Sequence, residues 1–179
     1  MKELLRAAFS QFEKNKIPIV DAELLLAHLL GVSRKQIHSQ AIELNEVEQE
    51  KIAVEFNELI KQRLLGRPVQ YITGSAPFRY LEYEVGPGVL IPRPETESLV
   101  DEVLHQLNTF ADPVSLVDLG SGTGAIAISI ASETAGKKVV HVVAVEKSDE
   151  ALVWLQKNIA KHDVNVRDVQ GDAATALEG

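Results

Sequence analysis

Apolar residues recur at helical spacing from the start of the chain, with Leu4, Leu5, Ala8, Phe9 and Phe12 on one stripe of residues 1–15. Pro18 interrupts the pattern, and Asp21 is placed to cap a second helix that runs through A-E-L-L-L-A-H-L-L and stops at Gly31. Ser33 is read as the cap of a short helix reaching about His38. From Glu46 to Leu65, the positions Val47, Ile52, Phe56, Leu59, Ile60 and Leu64 again share one helical face, closed by Gly66 and Pro68. Four helices with short connections predict a small bundle over residues 1–72, with Ala22 to Leu30 in its core.

The pattern changes after Thr73-Gly74. Phe78, Tyr80, Tyr83, Val85 and Val89 mark two extended runs, and Gly86-Pro87-Gly88 supplies a turn signal between them. This predicts a β-hairpin linker over residues 73–92. Pro94 then opens a helix with Leu99, Val100, Val103, Leu104 and Leu107 on one face, ending near Asn108. Strand-like runs at Val114, Val139–Val145 and Val164–Gln170 alternate with helices at Ala125–Ala131 and Asp149–His162, the latter capped by Ser148. Strand and helix in alternation imply a parallel α/β sheet over residues 93–179. Trp154, in mid-helix, reads as core packing.

Composition narrows the class. An apolar content of 45% supplies a core for one domain or two small ones in 179 residues. A net charge of −8 argues against gripping nucleic acid by its phosphates. Without cysteine there is no disulfide, thiolate zinc site or thiol nucleophile. The five histidines lack the pairing that helical metal sites use, so no metal is expected. The amphipathic N-terminus does not read as a signal peptide, and Leu24–Leu30 is too short to span a membrane. A cytoplasmic protein without membrane association is expected.

The chemistry concentrates in V-S-L-V-D-L-G-S-G-T-G, Val114 to Gly124. A strand, a glycine turn and a helix bring backbone N–H groups close to a nucleotide-like ligand. Gly120, Gly122 and Gly124 permit the sharp turn. Glu146, at the tip of the next strand, is placed to accept both hydroxyls of a ribose; the alternative is a solvated charge at a helix entry. Gly120, Gly122 and Ala125 also fit the dinucleotide pattern G-x-G-x-x-A, so a nicotinamide-dependent oxidoreductase competes. Asp118, two places before the first glycine, favours S-adenosylmethionine, whose enzymes hold the ligand loop and the methionine end there. Asp172 falls near the place of an adenine amine or serves as a turn residue, and Ala173 would offer its backbone N–H. P-R-P-E-T-E, Pro92 to Glu97, is either a helix start with acids on the dipole or part of the site wall.

V-L-I-P-R-P-E-T-E-S-L-V (Val89 to Val100) with V-D-L-G-S-G-T-G-A-I-A-I-S-I-A (Val117 to Ala131) resembles the release factor glutamine methyltransferase family. D-A-E-L-L-L-A-H-L-L-G and G-R-P-V-Q-Y-I-T-G are similar to that family's helical domain and linker. The resemblance implies a substrate-recognition bundle, a hairpin, and the first half of a Rossmann-like methyltransferase domain. It implies methyl transfer from S-adenosylmethionine to the side-chain amide nitrogen of glutamine in the Gly-Gly-Gln motif of peptide chain release factors. A nucleic-acid adenine methyltransferase is a closer rival than the oxidoreductase, but the charge and the N-terminal domain speak against it.

Carried onto this chain, the resemblance gives Asp118, Gly120, Ser121, Gly122, Thr123, Gly124, Glu146, Asp172 and Ala173 to the cofactor. Phe78, Arg93, Glu95 and Thr96 would form a wall of the site. Arg79-Tyr80 departs from the family's usual glycine-containing turn, and Ala173 from a bulkier residue. The family's amide-orienting Asn-Pro-Pro-Tyr is expected beyond Gly179, so no catalytic residue is assigned within the chain. These residues alone are then expected to expose a strand edge, to be poorly soluble and inactive, or only to bind release factor or cofactor. The complete protein is expected to be monomeric.

Overall fold

A computed structural model describes residues 2–39, 42 and 44–175. The chain divides into two compact units, Met1–Thr73 and Gly74–Gly179. Among the described residues no helix is long and apolar enough to cross a membrane.

The first unit is helical: α1 (Lys2–Lys14), α2 (Val20–Leu30), α3 (Arg34–Ser39), α4 (Glu46–Leu64) and the short α5 (Val69–Thr73), which sequence patterning had not separated. Helix α2 is apolar almost all round and touches each of the other four. Its Leu25 and Leu26 are fully buried with Phe12, Phe56 and Ile60. Gly31 ends it in the left-handed region (φ 62°), and Val32 N–H bonds back to Ala27 O, as a C-terminal glycine should.

Two expectations fail here for tertiary reasons. Asp21 does not cap α2, which begins a residue earlier; it is buried and accepts a 2.7 Å bond from Arg63 Nε on α4. Val47 is 76% exposed, off the apolar stripe, because α4 turns only its later residues inward. Helix α4 starts instead with a reciprocal capping box between Asn45 and Glu48.

The second unit opens with the antiparallel hairpin β1 (Ser75–Phe78) and β2 (Leu81–Glu84). Its turn is Arg79-Tyr80, with Arg79 in the left-handed region (φ 52°), and not the expected Gly86-Pro87-Gly88. That later stretch follows β2 and is held by the helix Asp149–His162, through Trp154 Nε1 donating to Pro87 O at 3.1 Å. Trp154 is therefore half-buried against this loop, where a side chain on Gly86 would collide with its ring; it is not a deep core residue. Tyr83 is fully buried, in edge contact with Phe78, and its hydroxyl meets Ser129 Oγ at 2.8 Å and Ala125 O at 3.2 Å.

A 3-10 turn (Pro94–Thr96) leads into α6 (Glu97–Leu107). Then follow β3 (Val114–Leu119), α7 (Ala125–Thr134), β4 (Val140–Glu146), α8 (Asp149–His162) and β5 (Val166–Gln170). The sheet is parallel in the order β3-β4-β5, with Leu119 opposite Val145 and Glu146 opposite Gln170. The alternating pattern thus gives the expected α/β unit with a parallel sheet. The small residues of α7 lie close on the strands, burying Ala127, Ile128 and Ile130 with Ala144 and Val145. Ser148 caps α8, its Oγ accepting from Ala151 N–H at 3.3 Å. Among the described residues β3 is an edge strand, with Leu119 49% exposed.

Candidate functional site

At the end of β3 the chain must reverse into α7 within five residues, and the backbone does so through glycine. Gly120, Gly122 and Gly124 all have left-handed φ, at 75°, 55° and 82°. The N–H groups of Gly120 and Ser121 both donate to Val145 O, at 2.8 and 3.0 Å, tying the loop to the end of β4. Ser121 Oγ donates to Asp118 O at 2.8 Å, and Thr123 O accepts from the fully buried Asn158 at 3.0 Å. A side chain on Gly120 would meet nothing within 4 Å, whereas one on Gly124 would strike Leu155 and Ile128 at 2.6 and 2.7 Å. The first glycine faces open space and the third faces core.

Two carboxylates frame the loop. Asp118 Oδ2 accepts from Ala127 N–H at 3.3 Å, in the first turn of α7, which has no side-chain cap of its own. Burial holds Asp118 above the ordinary carboxylate range, opposed by that N–H and reinforced by the negative Glu146. Glu146 is buried and bridges two turns: Oε2 accepts from Gly122 N–H and Oε1 from Ser148 N–H, each at 2.8 Å. A carboxylate has about four lone-pair sites, so two remain for a ligand's hydroxyls.

Asp172 and Ala173 lie in the exposed turn after β5, which reaches the same end of the sheet because Gly171 N–H donates to Glu146 O at 3.1 Å. Asp172 is paired with Lys147 Nζ at 2.8 Å, and this cation together with Ala174 N–H holds its carboxyl below the usual range.

Phe78, Arg93 and Thr96 meet the glycine loop around a cleft of about 200 Å³, with Gly120–Thr123, Ala125, Ile126 and Leu90–Pro92 completing its lining. Phe78 is buried, and Arg93 is exposed, its side chain without a hydrogen-bond or ion-pair partner among the described residues. Glu95 does not join them: the tight 3-10 turn leaves it exposed, away from the lining. Asp172 and Ala173 do not line the cleft either. A larger cavity of about 380 Å³ beside α6 and α7 holds lysines already committed, Lys138 to Asp112 and Lys137 to Glu133 O.

Sequence reasoning missed Asn158 and the contacts of Arg79. Asn158 donates to Glu84 O and accepts from Glu84 N–H, besides holding Thr123, so one amide joins β2 to the loop. The signal for it was a polar residue on the apolar face of α8.

Comparison with known proteins gives two family profiles in tandem: a PrmC N-terminal domain over residues 3–74 and a methyltransferase small domain over residues 98–179. The release factor glutamine methyltransferase of Streptomyces coelicolor is 42% identical over 162 residues, 89% of this chain and 53% of that protein. The protein of the same name from Chlorobaculum tepidum is 38% identical over 185 residues, 97% of this chain and 60% of its own length. The chain thus spans a little over half the length of these relatives. A solved structure, the Pyrococcus abyssi tRNA (uracil-54, C5)-methyltransferase with S-adenosyl-L-homocysteine, aligns with 55% of this chain and 24% of its own at a TM-score of 0.43 and 16% identity.

Proposed function

The chain belongs to the release factor glutamine methyltransferase family, and from that premise we propose that its glycine-loop cleft binds S-adenosylmethionine for methylation of a glutamine side-chain amide. The substrate on this reading is the glutamine of a Gly-Gly-Gln motif in a peptide chain release factor. The observation that carries the proposal is the convergence of the glycine loop, the P-R-P-E-T turn and Phe78 on one cleft.

The residues present fit the cofactor. Open space over Gly120 admits a ligand against bare backbone. Arg93, the one Lys or Arg in the cleft lining, is unpaired and suits the carboxylate of the methionine end. Asp118 supplies negative charge beside the loop for the cofactor's positive groups. Glu146 keeps two acceptor sites for the ribose hydroxyls, and Asp172 with Ala173 would border the adenine. The cleft is smaller than the ~300–1,000 Å³ of sites that enclose a whole drug-sized ligand. It suits the methionine end, and Glu146, outside this lining, would hold the ribose.

S-adenosylmethionine supplies a methyl group on a positively charged sulfur, activated for attack without help from the protein. The protein's task is orientation. An amide nitrogen is a poor nucleophile because its lone pair is delocalised, so holding it in line with the methyl is the main lever, and in the best intramolecular cases orientation supplies about 7–11 kcal/mol. Phe78 and Ile91 give that region a dry wall. No residue of this chain is assigned as a general base. Mass spectrometry of a release factor incubated with S-adenosylmethionine and a protein that carries this chain at the full length of its relatives tests the reading. A single methyl on the Gly-Gly-Gln glutamine is expected, and methylation elsewhere or of nucleic acid instead would overturn it.

A further inference from the structure

Arg79 adopts a left-handed backbone that an L-residue without special cause avoids, and its side chain is only 8% exposed. The cause lies in its partners. Nε and Nη2 form a fork on the Glu133 carboxylate of α7, Nη1 reaches Asp101 Oδ1 at 2.7 Å and Glu97 O at 3.1 Å, and the backbone N–H donates to Glu97 Oε1 at 3.0 Å. Four of the five guanidinium N–H groups are thereby used. A lysine, with three donors at one point, cannot make this pattern.

Arg79 and two of its three partners, Glu97 and Glu133, adjoin or belong to segments that line the cleft, while Asp101 lies one turn further along α6. Phe78 immediately precedes Arg79, Thr96 precedes Glu97, and Glu133 lies on the helix that starts at Ala125. We propose that Arg79 is a positioning residue that fixes the register of the hairpin tip, the 3-10 turn and α7, and so sets the width of the cleft between Phe78 and the glycine loop. A buried ion pair is a weak source of net stability, because desolvation offsets most of its attraction; its better-attested use is to select one arrangement. Strained backbone held by an over-determined set of contacts fits the same role.

The inference rests on the cleft being a cofactor site, so the test reads cleft order and binding separately. Arg79→Gly removes the guanidinium and relieves the backbone strain, while Arg79→Lys keeps the charge without the fork. Hydrogen exchange in the full chain is expected to accelerate at Phe78, Thr96 and Gly120–Thr123 in both variants, and not across β4 and β5. Affinity for S-adenosyl-L-homocysteine, measured by calorimetry, is expected to fall tenfold or more in both. Millimolar ethylguanidinium is expected to restore Arg79→Gly but not Arg79→Lys, whose ammonium occupies the place. Exchange that is unchanged, or raised uniformly across the unit, overturns the positioning role, as does wild-type affinity in Arg79→Gly. If the parent chain binds no S-adenosyl-L-homocysteine, the functional reading fails, and exchange and its rescue still decide the role of Arg79.

Discussion

Replacing Gly124 and Gly120 by alanine, one at a time, separates what the glycine loop owes to the core from what it owes to the ligand. Both have left-handed φ, 82° and 75°, so both variants incur the same kind of backbone cost, roughly 1–2 kcal/mol for an L-residue. Only at Gly124 does the new methyl also meet packed atoms, Leu155 Cδ1 at 2.6 Å and Ile128 Cδ1 at 2.7 Å. Overpacking of this kind adds about 1–3 kcal/mol. Gly124→Ala should therefore lose about 2–5 kcal/mol in total and Gly120→Ala only the first part. For a unit of this size, at about 4 °C per kcal/mol, the Gly124 variant should melt about 8–20 °C lower. Trp154 is the only tryptophan and lies in the same unit, so its fluorescence reports this transition directly. Binding should rank the other way for the folded proteins, since a methyl on Gly120 enters the open space of the cleft. Equal stability losses in the two variants would refute the packing argument.

Three further outcomes follow from the same geometry. Burial raises Asp118, so the folded state holds its proton more readily than the unfolded state, and stability falls as pH climbs from the ordinary 3.8 through the raised value. Asp118→Asn should flatten that slope in urea midpoints and leave neutral-pH stability equal or higher while weakening cofactor binding; an unchanged slope contradicts the assignment. In the first unit, Asp21→Ala strands Arg63 and should cost about 3 kcal/mol by far-UV circular dichroism, with Arg63→Ala similar and the double variant far from additive. A loss below 0.5 kcal/mol, roughly the scale of an ordinary surface change, would mean that the pair is not structural. Asp172→Ala breaks an exposed, solvent-screened pair with Lys147 and should leave the melting temperature within experimental error of the parent, so a clear drop would assign the turn a structural role.

What could be read from the chain were features whose cause is local. Gly31 and Ser148 end and start helices through their own backbone and hydroxyl, and each does so in the structure. The alternation of strand and helix and the glycine turn also depend on neighbours in sequence. The misreadings share an opposite cause. Asp21 looks like a cap until Arg63, forty-two residues later, takes it inward. The sequence points to a hairpin turn at glycines because a left-handed arginine makes sense only once Glu133 and Asp101 stand beside it. Sequence groups Glu95 with Arg93 and Thr96, but a 3-10 turn spreads consecutive residues around its axis and leaves this one in solvent. For Glu146 the position was legible and the two backbone donors that already hold it were not.

All residues of the second unit together carry eight Lys or Arg and sixteen Asp or Glu, so the whole net charge of −8 resides with the cleft. That distribution suits a basic protein substrate, and suits a phosphate-rich cofactor poorly. Calorimetric titration of the chain with S-adenosylmethionine and with NAD, in parallel, therefore tests the central claim most directly. Saturable one-to-one binding of S-adenosylmethionine with protection of the Gly120–Thr123 amides, and no binding of NAD, is expected. Saturable binding of NAD, or S-adenosylmethionine without heat or protection at those amides, would contradict it.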